Sequence, residues 1–186
     1  MEDVREYLSA VTRLIEKLPE DQIQDFVDTI AEAYHTGRQV FILGNGGSAA
    51  TASHLACDLQ KGIGGEAPRK FKVMAVTDSV PIMTAWANDT DYSRIFSEQI
   101  DTWANPGDLV IAISGSGNSP NVIRAVEVAN NKGAFTYGLA GFGGGKLAQV
   151  ARKCIVASSD NMQHVEDAHM IVSHLVYSCL RKIIGL

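Results

Sequence analysis

Cysteine is scarce in this chain: Cys57, Cys154 and Cys179 are the only three, widely spaced and odd in number. That excludes a disulfide framework and a zinc-ribbon pattern. Cys57 and Cys179 fall in helical patterns and read as small buried hydrophobes. Long apolar runs are missing too. No stretch approaches the roughly 20 residues of a membrane helix, so no membrane partner is expected. The opening Met1-Glu2-Asp3-Val4-Arg5-Glu6 has no basic region followed by an apolar one, so no signal peptide is expected and a reducing cytoplasm is the expected setting. Positive charge is in deficit, with 16 Lys+Arg against 21 Asp+Glu and a net charge of −5. Without a basic run, a nucleic-acid partner is not expected. The glycines follow no period and 46% of residues are hydrophobic, which excludes collagen-like repetition and disorder. What remains is an ordinary globular chain of 186 residues, read as one domain over 1–186.

Two helices are expected first. Val4, Leu8, Val11, Leu14, Ile15 and Leu18 recur at helical spacing up to Pro19, and Ile23, Phe26, Val27, Ile30 and Tyr34 do so up to Gly37. From Gln39 the pattern changes to short apolar runs: Val40–Leu43, Lys72–Val76, Asp108–Ile113, Phe135–Leu139 and Cys154–Val156. Runs apolar on both faces, separated by helical segments, predict a parallel sheet covered on both sides. Residues 62–70 read as a loop, Ser79-Val80-Pro81 opens a helix, and another follows with Tyr92, Ile95, Phe96 and Ile100. A long helix over Val165–Ile184 closes the chain. The expected class is therefore α/β: three layers, with two leading helices and a long C-terminal one.

Two strand ends suit an anion. Gly44-Asn45-Gly46-Gly47-Ser48 turns tightly into a helix expected to begin at Ser48, where free N–H groups and the dipole favour negative charge. Ser114-Gly115-Ser116-Gly117-Asn118-Ser119-Pro120 offers three hydroxyls, with Ser119 as N-cap and Pro120 as first helical residue. Hydroxyls and backbone N–H groups without a lysine suit a phosphate monoester, against the blander reading of a Ser/Gly turn that only caps a helix. Acid–base groups sit on two helices. His54 and Asp58 are four apart on one face, a pair able to share a metal or move protons. The last helix carries His164, Glu166, Asp167, His169 and His174. His164 and Asp167 fit a solvated helix start. His174 falls among Ile171, Val172, Leu175 and Val176, where a core histidine with a backbone partner competes with a functional one.

These residues in this order resemble the phosphoheptose isomerases of the sugar isomerase (SIS) domain superfamily: Gly44–Ser48, His54, Asn88-Asp89, Ser114–Ser119, Gly143-Gly144-Gly145-Lys146-Leu147, and His169 with His174. The resemblance spans essentially the whole chain. It implies the SIS, flavodoxin-like fold, residues 1–36 serving oligomerisation, and a cytoplasmic homotetramer. It further implies conversion of sedoheptulose 7-phosphate to D-glycero-D-manno-heptose 7-phosphate, for lipopolysaccharide or other surface-glycan precursors, with one zinc per active site. Carried over residue by residue, the phosphorylated seven-carbon sugar would be held by Asn45, Gly46, Gly47, Ser48, Asp89, Ser114, Ser116, Ser119 and Glu166. His54, Asp58, Glu166 and His174 would be the metal set, and Asp58 and His174 the catalytic pair. Two positions depart from the family: Asp58 stands for a glutamate and Glu166 for a glutamine, which together add one negative charge. A DnaA-binding, nonenzymatic branch of the superfamily lacks the last histidine, so His174 favours an enzyme.

Glu166 and His174 lie eight residues apart, roughly 12 Å along one helix, too far to meet at one ion. Either that helix begins after Glu166, or two chains share the site, with His54 and Asp58 of one meeting Glu166 or His174 of a neighbour. The abundance of apolar residues on this helix favours the second. For the serine loop, Ser116→Ala and Ser119→Ala are each expected to raise KM for a phosphorylated substrate by the loss of one charge-assisted hydrogen bond, about 1.5–3 kcal/mol. Steady-state kinetics with unchanged KM in both variants would reduce the loop to a cap.

Overall fold

The computed structural model describes residues 3–186; Met1 and Glu2, the start of the expected helical preface, lie outside the described residues. The preface consists of α1 (Val4–Ile15) and α2 (Glu20–Thr36), closed by Gly37. Five parallel strands follow: β1 (Val40–Gly44), β2 (Val73–Ala75), β3 (Leu109–Ser114), β4 (Phe135–Gly141) and β5 (Lys153–Ala157). Their order across the sheet is β2-β1-β3-β4-β5. The interleaved helices are α3 (Gly46–Cys57), α4 (Val80–Asp89), α5 (Ser97–Trp103), α6 (Pro120–Asn131), the short α7 (Leu147–Val150) and the long α8 (Met162–Ile184).

Alternation along each strand builds two cores. Val40, Ile42, Leu109, Ile111 and Ile113 pack with α2, α3 and α8 on one face. Phe41, Leu43, Val110 and Ala112 pack with α5, α6 and α7 on the other. β1 and β3 are buried throughout because helices cover both faces. β2, one of the two edge strands with β5, is shorter than the expected Lys72–Val76 run and leaves Met74 exposed.

Several expected boundaries move. α3 starts at Gly46 rather than Ser48, and the chain widens into a π-helical turn over Asp58–Ile63 before the loop. The segment from Tyr92 splits into a 3₁₀ turn, Tyr92–Arg94, and α5. Ser79 occupies the N-cap of α4 without a side-chain cap bond. Cys57 is exposed rather than buried, because it ends α3 on its outer side, whereas Cys179 is half-buried. Burial pushes the Cys154 thiol up to about 11, which makes it an unreactive packing group.

The preface is anchored through aromatic packing. Phe26 of α2 is fully buried against Tyr137 of β4, with ring centroids 4.5 Å apart. The Tyr137 hydroxyl donates to the Gln22 carbonyl at 2.9 Å and to the Asp25 carboxylate at 3.1 Å. Burial first, and then the bond to Asp25, holds this phenol protonated far beyond its ordinary range. Phe26→Ala is expected to cost about 3–5 kcal/mol, read as a lower urea midpoint at nearly constant slope.

Candidate active site

β1 and β3 lie side by side, yet the chain leaves them in opposite directions, toward β2 and toward β4. Ligands of open α/β sheets bind at such a switch point, outside the carboxyl ends of the strands. Two 12-residue helices begin there, α3 after Gly44-Asn45 and α6 after the serine loop. Their free N–H groups and dipoles offer positive potential without a lysine. Ser48 is buried in the first turn of α3. Ser119 sits at the N-cap of α6, but its hydroxyl makes no cap bond; it lies 3.1 Å from the Ser114 hydroxyl instead. The cap-only reading therefore fails for Ser119.

A pair of amides ties the two strand ends together. Asn45 and Asn121 exchange reciprocal side-chain hydrogen bonds of 2.9 and 2.8 Å, and the Tyr92 hydroxyl donates to Asn45 at 3.3 Å. The Asn45 carboxamide is thus engaged by protein, so its side chain serves first as a latch between the strand ends. The sequence reading missed Asn121, since no periodicity separates a buried polar latch from any other residue of a first helical turn. Asp89, at the exposed end of α4, accepts from the side chain of its neighbour Asn88 at 2.8 Å.

The titratable groups converge on the same side. His54 of α3 and Asp58 of the π-helical turn are 3.4 Å apart. His174 of α8 brings its Nε2 to 3.1 Å from Nε2 of His54, with the rings inclined at 64°. One donor atom from each of His54, Asp58 and His174 lies within 4.8 Å of the others. Two imidazole nitrogens and a carboxylate oxygen form a three-ligand set that suits a borderline divalent ion and leaves a coordination position open.

α8 corrects several expectations. Its helical period turns Val172 and Val176 inward and His174 with Leu175 outward, so His174 is exposed rather than deep among apolar neighbours. The core histidine with a backbone partner is His169: its Nε2 lies 3.1 Å from the Ala140 carbonyl, which can only accept, so this nitrogen carries the proton. Burial, outweighing that bond, lowers the His169 pKa and keeps the ring neutral. His164 is likewise buried rather than solvated, edge-on to Tyr7 with centroids 4.6 Å apart. Asp167 accepts from the Tyr7 hydroxyl at 2.5 Å.

α8 begins at Met162, so Glu166 and His174 share one helix and face different parts of the site. His174 joins His54 and Asp58. Glu166 stands apart from that group, beside the first turn of α3, where a Cβ added to Gly47 would fall 2.5 Å from both carboxylate oxygens. The expected fourth ligand, Glu166, thus lies beside Gly47 at the start of α3, while the donor atoms drawn together are those of His54, Asp58 and His174. Within this chain His54 and Asp58 already meet the chain's own His174. The contact between Glu166 and Gly47 predicts a dependence between two positions. Gly47→Ala alone is expected to bring no gain in stability. In a Glu166→Ala background the same change should add about 0.5–1 kcal/mol of helix propensity, measured by urea unfolding.

Comparison with known proteins gives the family and the fold. Residues 6–141 match the SIS domain family. The phosphoheptose isomerase of Rhodospirillum rubrum is 39% identical over 155 residues, covering 83% of this chain and 81% of that protein. A probable phosphoheptose isomerase of Thermoplasma volcanium is 32% identical over 178 residues, 96% of this chain and 90% of that one. The structure of a phosphoheptose isomerase from Neisseria gonorrhoeae superposes with a TM-score of 0.89 at 25% identity, covering 96% of this chain and 97% of that chain. The chain belongs to the phosphoheptose isomerase family of SIS domain proteins.

Proposed function

We propose that this chain is an aldose–ketose isomerase that interconverts sedoheptulose 7-phosphate and D-glycero-D-manno-heptose 7-phosphate. The observation that carries this reading is the convergence of His54 of α3, Asp58 of the π-helical turn and His174 of α8 within 4.8 Å, beyond the far end of a helix that starts beside the serine loop region. From Gly46 to His54 the axis of α3 advances about 12 Å. That separation suits a substrate with its phosphate at one end of a carbon chain and its carbonyl at the other. A sensor of sugar phosphates would need the serine loop but has no use for the His54, Asp58 and His174 set.

In this reading Ser48, Ser114, Ser116 and Ser119, with the backbone of Asn45, Gly46 and Gly47, receive the phosphate, and Asp89 and Glu166 border the pocket. The Asp58 carboxylate takes the proton from the carbon beside the ketose carbonyl, and an enediol forms. His174 moves protons between the two oxygens. The proton held on Asp58 returns to the neighbouring carbon, which completes the transfer between C1 and C2. His54, Asp58 and His174 would hold a zinc ion, which when bound supplies polarisation of the carbonyl and hydroxyl oxygens. The shorter Asp58 sets the base one methylene further back than the family's glutamate.

The same reading places the enzyme in the cytoplasm as a homotetramer, feeding surface-glycan precursor synthesis. Exposed apolar residues on the two long packed helices, Val4 and Leu8 of α1 and Leu175 and Ile183 of α8, support burial between copies. Among the described residues, no helix is long and apolar enough to cross a membrane. The test is turnover of sedoheptulose 7-phosphate in deuterated water, with aldose formation and deuterium uptake both followed. Turnover should fall with a chelator and recover with zinc. Asp58→Asn should lower kcat by about 10²–10⁴-fold, the range for loss of a positioned base, while phosphate still binds. Retained activity in Asp58→Asn would remove Asp58 as the base.

A further inference from the structure

The sequence singles out Gly143-Gly144-Gly145-Lys146-Leu147, and the chemistry above gives it no task. The structure lays this segment directly behind the serine loop. The Leu147 N–H donates to the Gly117 carbonyl at 2.8 Å, and the Gly141 N–H donates to the Gly115 carbonyl at 2.9 Å. Gly117 and Gly145 both adopt positive φ, 66° and 55°, and meet backbone to backbone. A Cβ on Gly145 would lie 2.7 Å from the Gly117 carbonyl group and 2.8 Å from the Asn118 side chain.

Asn118 closes this assembly. Its Oδ1 accepts from the Lys146 N–H at 3.0 Å, and its Nδ2 donates to the Ser116 carbonyl at 3.0 Å. Its own N–H donates to the Ser116 hydroxyl at 3.1 Å. A purely local turn would account for the two bonds to Ser116. It does not account for the bond to Lys146, 28 residues away on another loop. The hydroxyl and the carbonyl of Ser116 are thereby fixed by one residue that is itself braced from behind.

We propose that Asn118 is a positioning residue for phosphate binding: its carboxamide brackets the serine loop to the Gly143–Leu147 loop and presets the hydroxyls and N–H groups that receive the anion. The inference rests on the phosphate-binding part of the proposed function. Preorganisation raises affinity because the loop loses less freedom when the anion arrives. It contributes nothing at the carbonyl end, where the chemistry occurs.

Asn118 is exposed, so Asn118→Ala leaves no core cavity. In that variant, KM for sedoheptulose 7-phosphate and the inhibition constant of inorganic phosphate should rise together by about tenfold, with kcat within about twofold of wild type. The ligand-free melting midpoint should stay unchanged, while the stabilisation brought by added phosphate shrinks. Gly145→Ala, made on the opposing loop, should weaken phosphate in the same way. Unchanged phosphate constants in Asn118→Ala, a loss of kcat at constant KM, or a lowered ligand-free midpoint that accounts for the whole effect would each overturn the proposal. A wild-type protein that binds phosphate but does not turn over the heptulose phosphate would contradict the isomerase reading, and phosphate-dependent melting of the two variants would still decide the role of Asn118. A wild type that binds no phosphate would overturn both.

Discussion

The parallel pairing of β1 with β3 is the constraint on which the rest of the molecule depends. Its register runs from Val40 beside Leu109 to Gly44 beside Ile113, so the two strands end level with each other. Each is followed within a few residues by a helix. The level ending therefore brings the N-termini of α3 and α6 to one place, and Asn45 with Asn121 fastens them there. A slip of one residue would exchange the side chains of these fully buried strands between the two cores, so the different packing on each face guards the register.

α8 supplies the second half of the site, and it does so by being long. One helix packs on the sheet through Val172, Val176 and Leu180, sets Glu166 beside the first turn of α3, and sets His174 beside His54 more than two turns later. His169, between them, donates to Ala140 on β4, the strand residue paired with Ser114. In the proposed reading, the phosphate end and the chemical end are spaced by the rise of two helices, α3 and α8, rather than by flexible loops. Rigid elements hold distances better than loops do, as proton transfer over a single bond length requires.

Charge is distributed along that span with a clear division. The starts of α3 and α6 and the serine loop offer dipoles and hydroxyls suited to an anion, with the Glu166 carboxylate beside Gly47. The His54, Asp58 and His174 cluster concentrates donor atoms at the other end of α3, where the helix widens into a π-helical turn at Asp58. Such widened turns often accompany functional sites, because they shift one side chain out of regular helical register.

Much of this was legible in the residues alone. Runs apolar on both faces, interrupted by helical periods, require a covered parallel sheet. The serine-rich and glycine-rich strand ends require an anion or an idle cap, and the i, i+4 pair of His54 and Asp58 requires one helical face. Local pattern is sufficient in these cases because each depends on neighbours within a turn or a strand. Which histidine of α8 faces the site and which is the core histidine was decided only by the fold. His169 and His174 are five apart, and the rotation of α8 about its axis is set by its packing against β4 and α3, not by its own sequence. The same holds for Glu166 at Gly47, for the Asn45–Asn121 latch and for Asn118 on Lys146. These are contacts across 28 to 120 residues of chain, and only the closed sheet brings such positions together.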